Sequence, residues 1–135
     1  MPNFDGGGFG GGRPPAEPWH SFGLARAFRN SAAGFAFALR SERAFRQEAF
    51  ILALAIPAVF WISPDPFRRA LLIASLLAVV VAELLNTAIE KVCDLVQPTP
   101  HPSVKAVKDM GSAAVLSAIA ACLLMWGVTL WQRLS

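Results

Sequence analysis

From Gly111 to Trp131 the chain runs without a charged side chain. At about 1.5 Å of rise per residue, a helix over that stretch crosses the ~30 Å hydrocarbon core of a bilayer. The 135 residues suffice for one domain. Charged residues make up 16% of the chain, against roughly 25% in an average soluble domain. Lipid is therefore the expected solvent for much of this surface.

Two further apolar stretches fit the same reading. One is Phe50–Ile62, extended to residues 48–63, and the other covers residues 70–92. Pro57 need not break the first, because in a membrane protein neighbouring groups satisfy the freed carbonyl. Trp61, Trp126 and Trp131 fall near segment ends, where aromatic residues anchor spans at the interface. Ahead of these, residues 19–47 place Phe28, Phe35, Leu39 and Phe45 at near-helical spacing among Arg26, Arg29, Arg40, Arg43 and Arg46. That pattern predicts an amphipathic helix lying in the membrane surface. The expected fold is an all-α membrane protein with one surface helix and three transmembrane helices.

Lysine and arginine set an orientation. Arg13 and the five arginines of the surface segment precede the first span, and Lys91, Lys105 and Lys108 flank the second connection. Arg68, Arg69 and Arg133 fall on the other side. The positive-inside rule then puts the N-terminus and the 93–110 loop in the cytoplasm. Residues 1–18 are rich in glycine and proline and read as a flexible tail. They lack both the pattern of a secretory signal and the Gly-Lys-Ser/Thr of a phosphate loop. The net charge of +3 is dispersed, which argues against a nucleic-acid partner. Cys93 and Cys122 lack metal-ligand spacing and read as buried thiols.

The second span carries the chemistry. Glu83, Asn86, Glu90 and Asp94 recur at intervals that put them on one helical face, with Thr87 alongside. A charge near the bilayer centre costs about 2.5–3.5 kcal/mol on insertion scales. Polar contacts between spans contribute only about 0.6 kcal/mol on average, so helix–helix adhesion does not offset a row of carboxylates. A polar stripe descending from the cytoplasmic surface into lipid suits a water-soluble reagent that meets a lipid. Two clusters accompany it. SERAFRQE (41–48) contains Glu42, Arg46, Gln47 and Glu48, and Glu42 with Arg46 alone reads as a surface salt bridge. In the 93–110 loop, His101 lies among prolines, followed by Lys105, Lys108 and Asp109. Lys108 alone reads as a snorkelling cation. Lysines, a histidine and carboxylates on one membrane face also make a site for a triphosphate with magnesium.

ELLNTAIE (83–90), Asp94, KDMGSAAVL (108–116) and ERAFRQE (42–48) together resemble the prokaryotic integral-membrane diacylglycerol kinases. The resemblance covers about residues 24–131. The related undecaprenol kinases share the ELLNTAIE and KD elements, whereas the FRQE and KDMGSAAVL wording is closer to the diacylglycerol kinase branch.

The resemblance implies a homotrimer that transfers the γ-phosphoryl of ATP to diacylglycerol, giving phosphatidic acid, with Mg2+ on the nucleotide. By motif position Glu83 resembles the catalytic base, and Glu42 and Glu90 resemble the metal-holding carboxylates. Asn30, Asn86, Asp94, His101, Lys108 and Asp109 join those two as nucleotide contacts. Ser31, Ala44, Phe45, Arg46, Gln47, Glu48 and Ser112, with Glu83, would meet the lipid substrate. Gly23 and Asn30 depart from the family's pattern early in the surface helix, and Arg26 or Arg29 would have to substitute there. Two readings from other classes stay open: a small proton-coupled transporter, which accounts for Glu83 alone, and a non-enzymatic assembly factor.

Overall fold

The computed structural model describes residues 23–135. The expected tail lies outside the described residues, as does the start of the expected surface segment. Four helices follow in chain order: α1 (Leu24–Ser41), α2 (Arg43–Ile62), α3 (Pro66–Val96) and α4 (Pro102–Leu134). No strand occurs among the described residues. The last three helices are each long and apolar enough to cross a membrane.

The helix ends have local causes. Asp65 caps α3, its Oδ1 accepting from Phe67 N–H at 3.0 Å, and Pro66 supplies the pre-set first position. His101 caps α4 in the same way, its Nδ1 accepting from Ser103 N–H at 3.2 Å ahead of Pro102. Pro66 and Pro102 thus start helices. Pro57 lies inside α2 without ending it.

The surface segment ends sooner than the sequence suggests. Glu42 has an extended backbone (φ −109°, ψ 121°) and separates α1 from α2. Residues 43–47 therefore begin the first spanning helix, which has 20 residues instead of the short span expected. The break is held by Arg46, whose Nη1 donates to the carbonyls of Leu39 (3.5 Å) and Arg40 (3.2 Å) at the end of α1. Those carbonyls have no partner within their own helix, and a cation there also complements the helix dipole.

Residues up to Ala33 and residues 34–135 form two separate units. In the first, Leu24 and Phe28 are exposed, as are Asn30 and Ser31. In the second, α3 is central: 44% of its most apolar stretch is buried, against 17% in α2 and 11% in α4. Three apolar clusters join the helices. Val59 and Ile62 pack on Leu72, Leu76 and Val79 on Cys122, and Ala38 and Phe45 on Val80. The last cluster, extended by the ring of Phe35 at 6.1 Å from that of Phe45, fixes the α1–α2 corner against α3. Trp126 departs from the expected role of interfacial anchor. It packs against two of these clusters, because α4 continues two turns past it to Leu134.

Candidate functional site

The polar stripe of α3 is graded in depth. Glu83 is 7% and Asn86 9% exposed, and Thr87 is also buried. Glu90 is half-buried and Asp94 is exposed. Asn86 Nδ2 donates to Glu90 Oε1 at 3.2 Å, linking one turn of the stripe to the next. Asn86 Oδ1 points the other way, toward Gly111 of α4. A Cβ built at Gly111 would overlap that oxygen and lie 3.3 Å from Asn86 Cγ. Only a residue without a side chain lets α4 come this close to the stripe.

The α1–α2 corner brings a third carboxylate to α3. Glu42 meets Lys91, its Oε1 2.8 Å from Nζ, and does not pair with Arg46 as the i,i+4 spacing suggests. The reason is the break at Glu42, which turns its side chain toward α3 while Arg46 closes α1. The ammonium of Lys91 beside it holds the Glu42 carboxyl below its ordinary range. Glu42 Oε1 is nevertheless buried with no directed hydrogen bond; at this angle the contact with Lys91 is one of charge. The charges of Glu90 and Glu42 both reach Glu83.

On the connection side, Lys108 Nζ donates to Asp94 at 2.6 Å, and Lys105 Nζ to Asp109 at 2.5 Å. Asp94, His101, Lys105, Lys108 and Asp109 line a groove of about 760 Å3. A second cavity of about 380 Å3 is almost wholly apolar and lies between α2, α3 and α4, bounded by Glu48, Leu52, Leu76, Val79, Cys122 and Trp126. Glu48 Oε2 and Trp126 Nε1 are both buried without hydrogen-bond partners among the described residues.

Thus Glu42, Glu83, Asn86, Glu90, Asp94 and Lys108 gather along one side of α3. Other expected residues are placed differently. Phe45 is buried in the corner cluster and Arg46 is used as a cap. Ala44, Gln47 and Ser112 are exposed. Asn30 and Ser31 belong to the other unit. Lys91, Gly111 and Trp126 have structural roles at the site that the sequence did not assign to them. A cation adjoining Glu90, and a glycine next to KDM, were the available signals.

The profile of the family described as "Prokaryotic diacylglycerol kinase" matches residues 29–130. This chain belongs to that family. A diacylglycerol kinase of Escherichia coli strain K12 is 40% identical over 110 residues, covering 82% of this chain and 90% of the relative. One from Pseudomonas aeruginosa is 42% identical over 100 residues, covering 74% and 81%. One from Haemophilus influenzae is 35% identical over 104 residues, covering 77% and 88%. The family's profile spans all four helices of this kinase, so the carboxylates of α3 and the corner at Glu42 both lie within the matched region.

Proposed function

We propose that this chain phosphorylates diacylglycerol with ATP, giving phosphatidic acid, as part of membrane lipid recycling. The observation that carries the reading is the stripe itself, in which Glu83 is buried one helical turn from Val79 of the apolar cavity, and Asp94 at the other end lines the polar groove. A lipid hydroxyl arriving through the bilayer and a phosphate arriving from water meet along it.

The residues suit magnesium. The ion prefers oxygen donors and keeps several waters, so one or two carboxylates suffice. Glu42 Oε1 is buried and already faces a cation, the Lys91 ammonium at 2.8 Å, so its surroundings suit positive charge. Glu42 and Glu90 would hold the ion, which would neutralise charge on the nucleotide phosphates.

Glu83 takes the proton from the primary hydroxyl of diacylglycerol. The freed oxygen forms its bond to the γ-phosphorus, and the bond from that phosphorus to ADP breaks. Asn86 orients Glu90, and Lys108 exchanges Asp94 for phosphate oxygens. His101, Asp109 and Asn30 contribute to the nucleotide side. The family resemblance assigns Ser31, Ala44, Arg46, Gln47, Glu48 and Ser112 to the lipid substrate. The cavity lined by Leu76, Val79 and Cys122 fits an acyl chain. The protein works as a homotrimer with the N-terminus and the α3–α4 connection in the cytoplasm, since three helices leave one side of α3 and most of α4 uncovered.

The test is transfer of labelled γ-phosphate from Mg·ATP in mixed micelles containing diacylglycerol or undecaprenol. Faster labelling of diacylglycerol is expected. Preference for undecaprenol would transfer the same mechanism to another lipid alcohol, and labelling of neither by folded protein would remove the kinase reading.

A further inference from the structure

Lys91 takes no part in the chemistry set out above, yet it is the cation nearest the proposed metal ligands. Its Nζ is 2.8 Å from Glu42 Oε1, and its charge also reaches Asp94 and Glu90. It follows Glu90 directly in α3, so its stem starts beside the second metal-holding carboxylate. The Lys91 side chain is 48% exposed and that of Glu42 22%. A lysine is a compact charge on a flexible stem, and this one is free on its solvent side to swing away. Magnesium binds oxygen at about 2.0–2.1 Å, so an ion at Glu42 Oε1 would compete with the ammonium for that oxygen, and the two like charges would repel each other.

We infer that Lys91 is a resident counter-ion that occupies the magnesium position at Glu42 until the nucleotide complex arrives. It neutralises the carboxylates in the nucleotide-free protein, and free divalent ions must displace it to bind. Mg·ATP displaces it readily, because the phosphates offer the departing ammonium a new partner. Lys91 is thereby a positioning residue that makes metal entry depend on nucleotide. The inference rests on the reading of Glu42 and Glu90 as the metal-holding pair.

The experiment uses Mn2+ as probe and the full chain in micelles, with free Mn2+ read by electron paramagnetic resonance. Without nucleotide, Lys91→Met should bind Mn2+ about tenfold more tightly than wild type, a change equivalent to about 1.4 kcal/mol. Lys91→Arg, which keeps the charge, should resemble wild type and serves as the folded control. Adding Glu42→Gln to Lys91→Met should abolish the gain. In turnover, Lys91→Met should raise KM for Mg·ATP several-fold with a smaller change in kcat. Equal Mn2+ affinity in wild type and Lys91→Met overturns the inference. The underlying reading has its own test: if Glu42→Gln and Glu90→Gln leave Mn2+ binding in the presence of ATP unchanged, the metal pair itself is wrong.

Discussion

Glu83 is the residue whose surroundings leave least room for a structural role. It is buried, none of the ion pairs among the described residues includes it, and the charges that reach it are the like charges of Glu90, Glu42 and Glu48. Such a placement costs stability, and replacing the side chain with a neutral one of equal size relieves that cost. Glu83→Gln should therefore leave the protein at least as stable as wild type while lowering kcat by about 10²–10⁴-fold, the usual contribution of a general base. Paired measurements of melting temperature and lipid phosphorylation check both halves. Activity above about a tenth of wild type would remove Glu83 as the base. The exposed pair Lys105–Asp109 is a contrast at the same scale. Its side chains are 77% and 62% exposed, so breaking it should cost no more than about 0.2–1 kcal/mol.

At the scale of elements, the approach of α4 to α3 decides whether Asn86 can hold Glu90. Gly111→Ala gains about 0.5–1 kcal/mol of helix propensity, but the new methyl group must displace a buried amide, and overpacking costs about 1–3 kcal/mol. The expected result is a modest net loss of stability and a larger loss of activity, because Asn86 rotates away from Glu90. The coupling can be isolated. In an Asn86→Ala background the overlapping amide is gone and the methyl group meets the Cα of residue 86 at an ordinary 3.9 Å, so the penalty of Gly111→Ala should disappear in a double-mutant cycle. Additive effects would show that Gly111 acts elsewhere. The break between α1 and α2 is the other decisive element. Arg46 closes α1 and the Phe45 cluster seats the corner, so Glu42 reaches α3 from a different helix.

For the whole molecule, the outward faces of α2 and α4 are covered with large apolar side chains such as Leu54, Phe60, Leu116, Leu123 and Leu124. They require lipid or further copies of the chain. Native mass spectrometry from detergent should give a mass about three times the 14.5 kDa of one chain; a monomer would overturn the trimer. The proposed orientation has its own check, in a background with Cys93 and Cys122 replaced by alanine. A cysteine at Pro64 should react with a membrane-impermeant maleimide on intact cells, and one at Thr99 only after the membrane is opened. The reverse pattern would invert the topology.

The apolar runs, the capping prolines and the spacing of Glu83, Asn86, Glu90 and Asp94 are properties of single helices. A helix's span and face follow from local periodicity, and so the sequence alone determined the three long apolar helices and the carboxylate stripe. Contacts between helices depend on where backbones end and how closely they approach, which periodicity does not carry. The i,i+4 spacing pointed Glu42 to Arg46, and only the break at Glu42 sent one side chain to Lys91 and the other to the end of α1. Trp126 looked like an interfacial anchor because the apolar run ends soon after it, whereas the helix continues and packs it, partly buried, against two apolar clusters. Gly111 only marked the start of the last apolar run, and its role lies in the space that Asn86 fills beside it. Tertiary structure decided these three because each depends on a second helix whose distance and angle are set by packing.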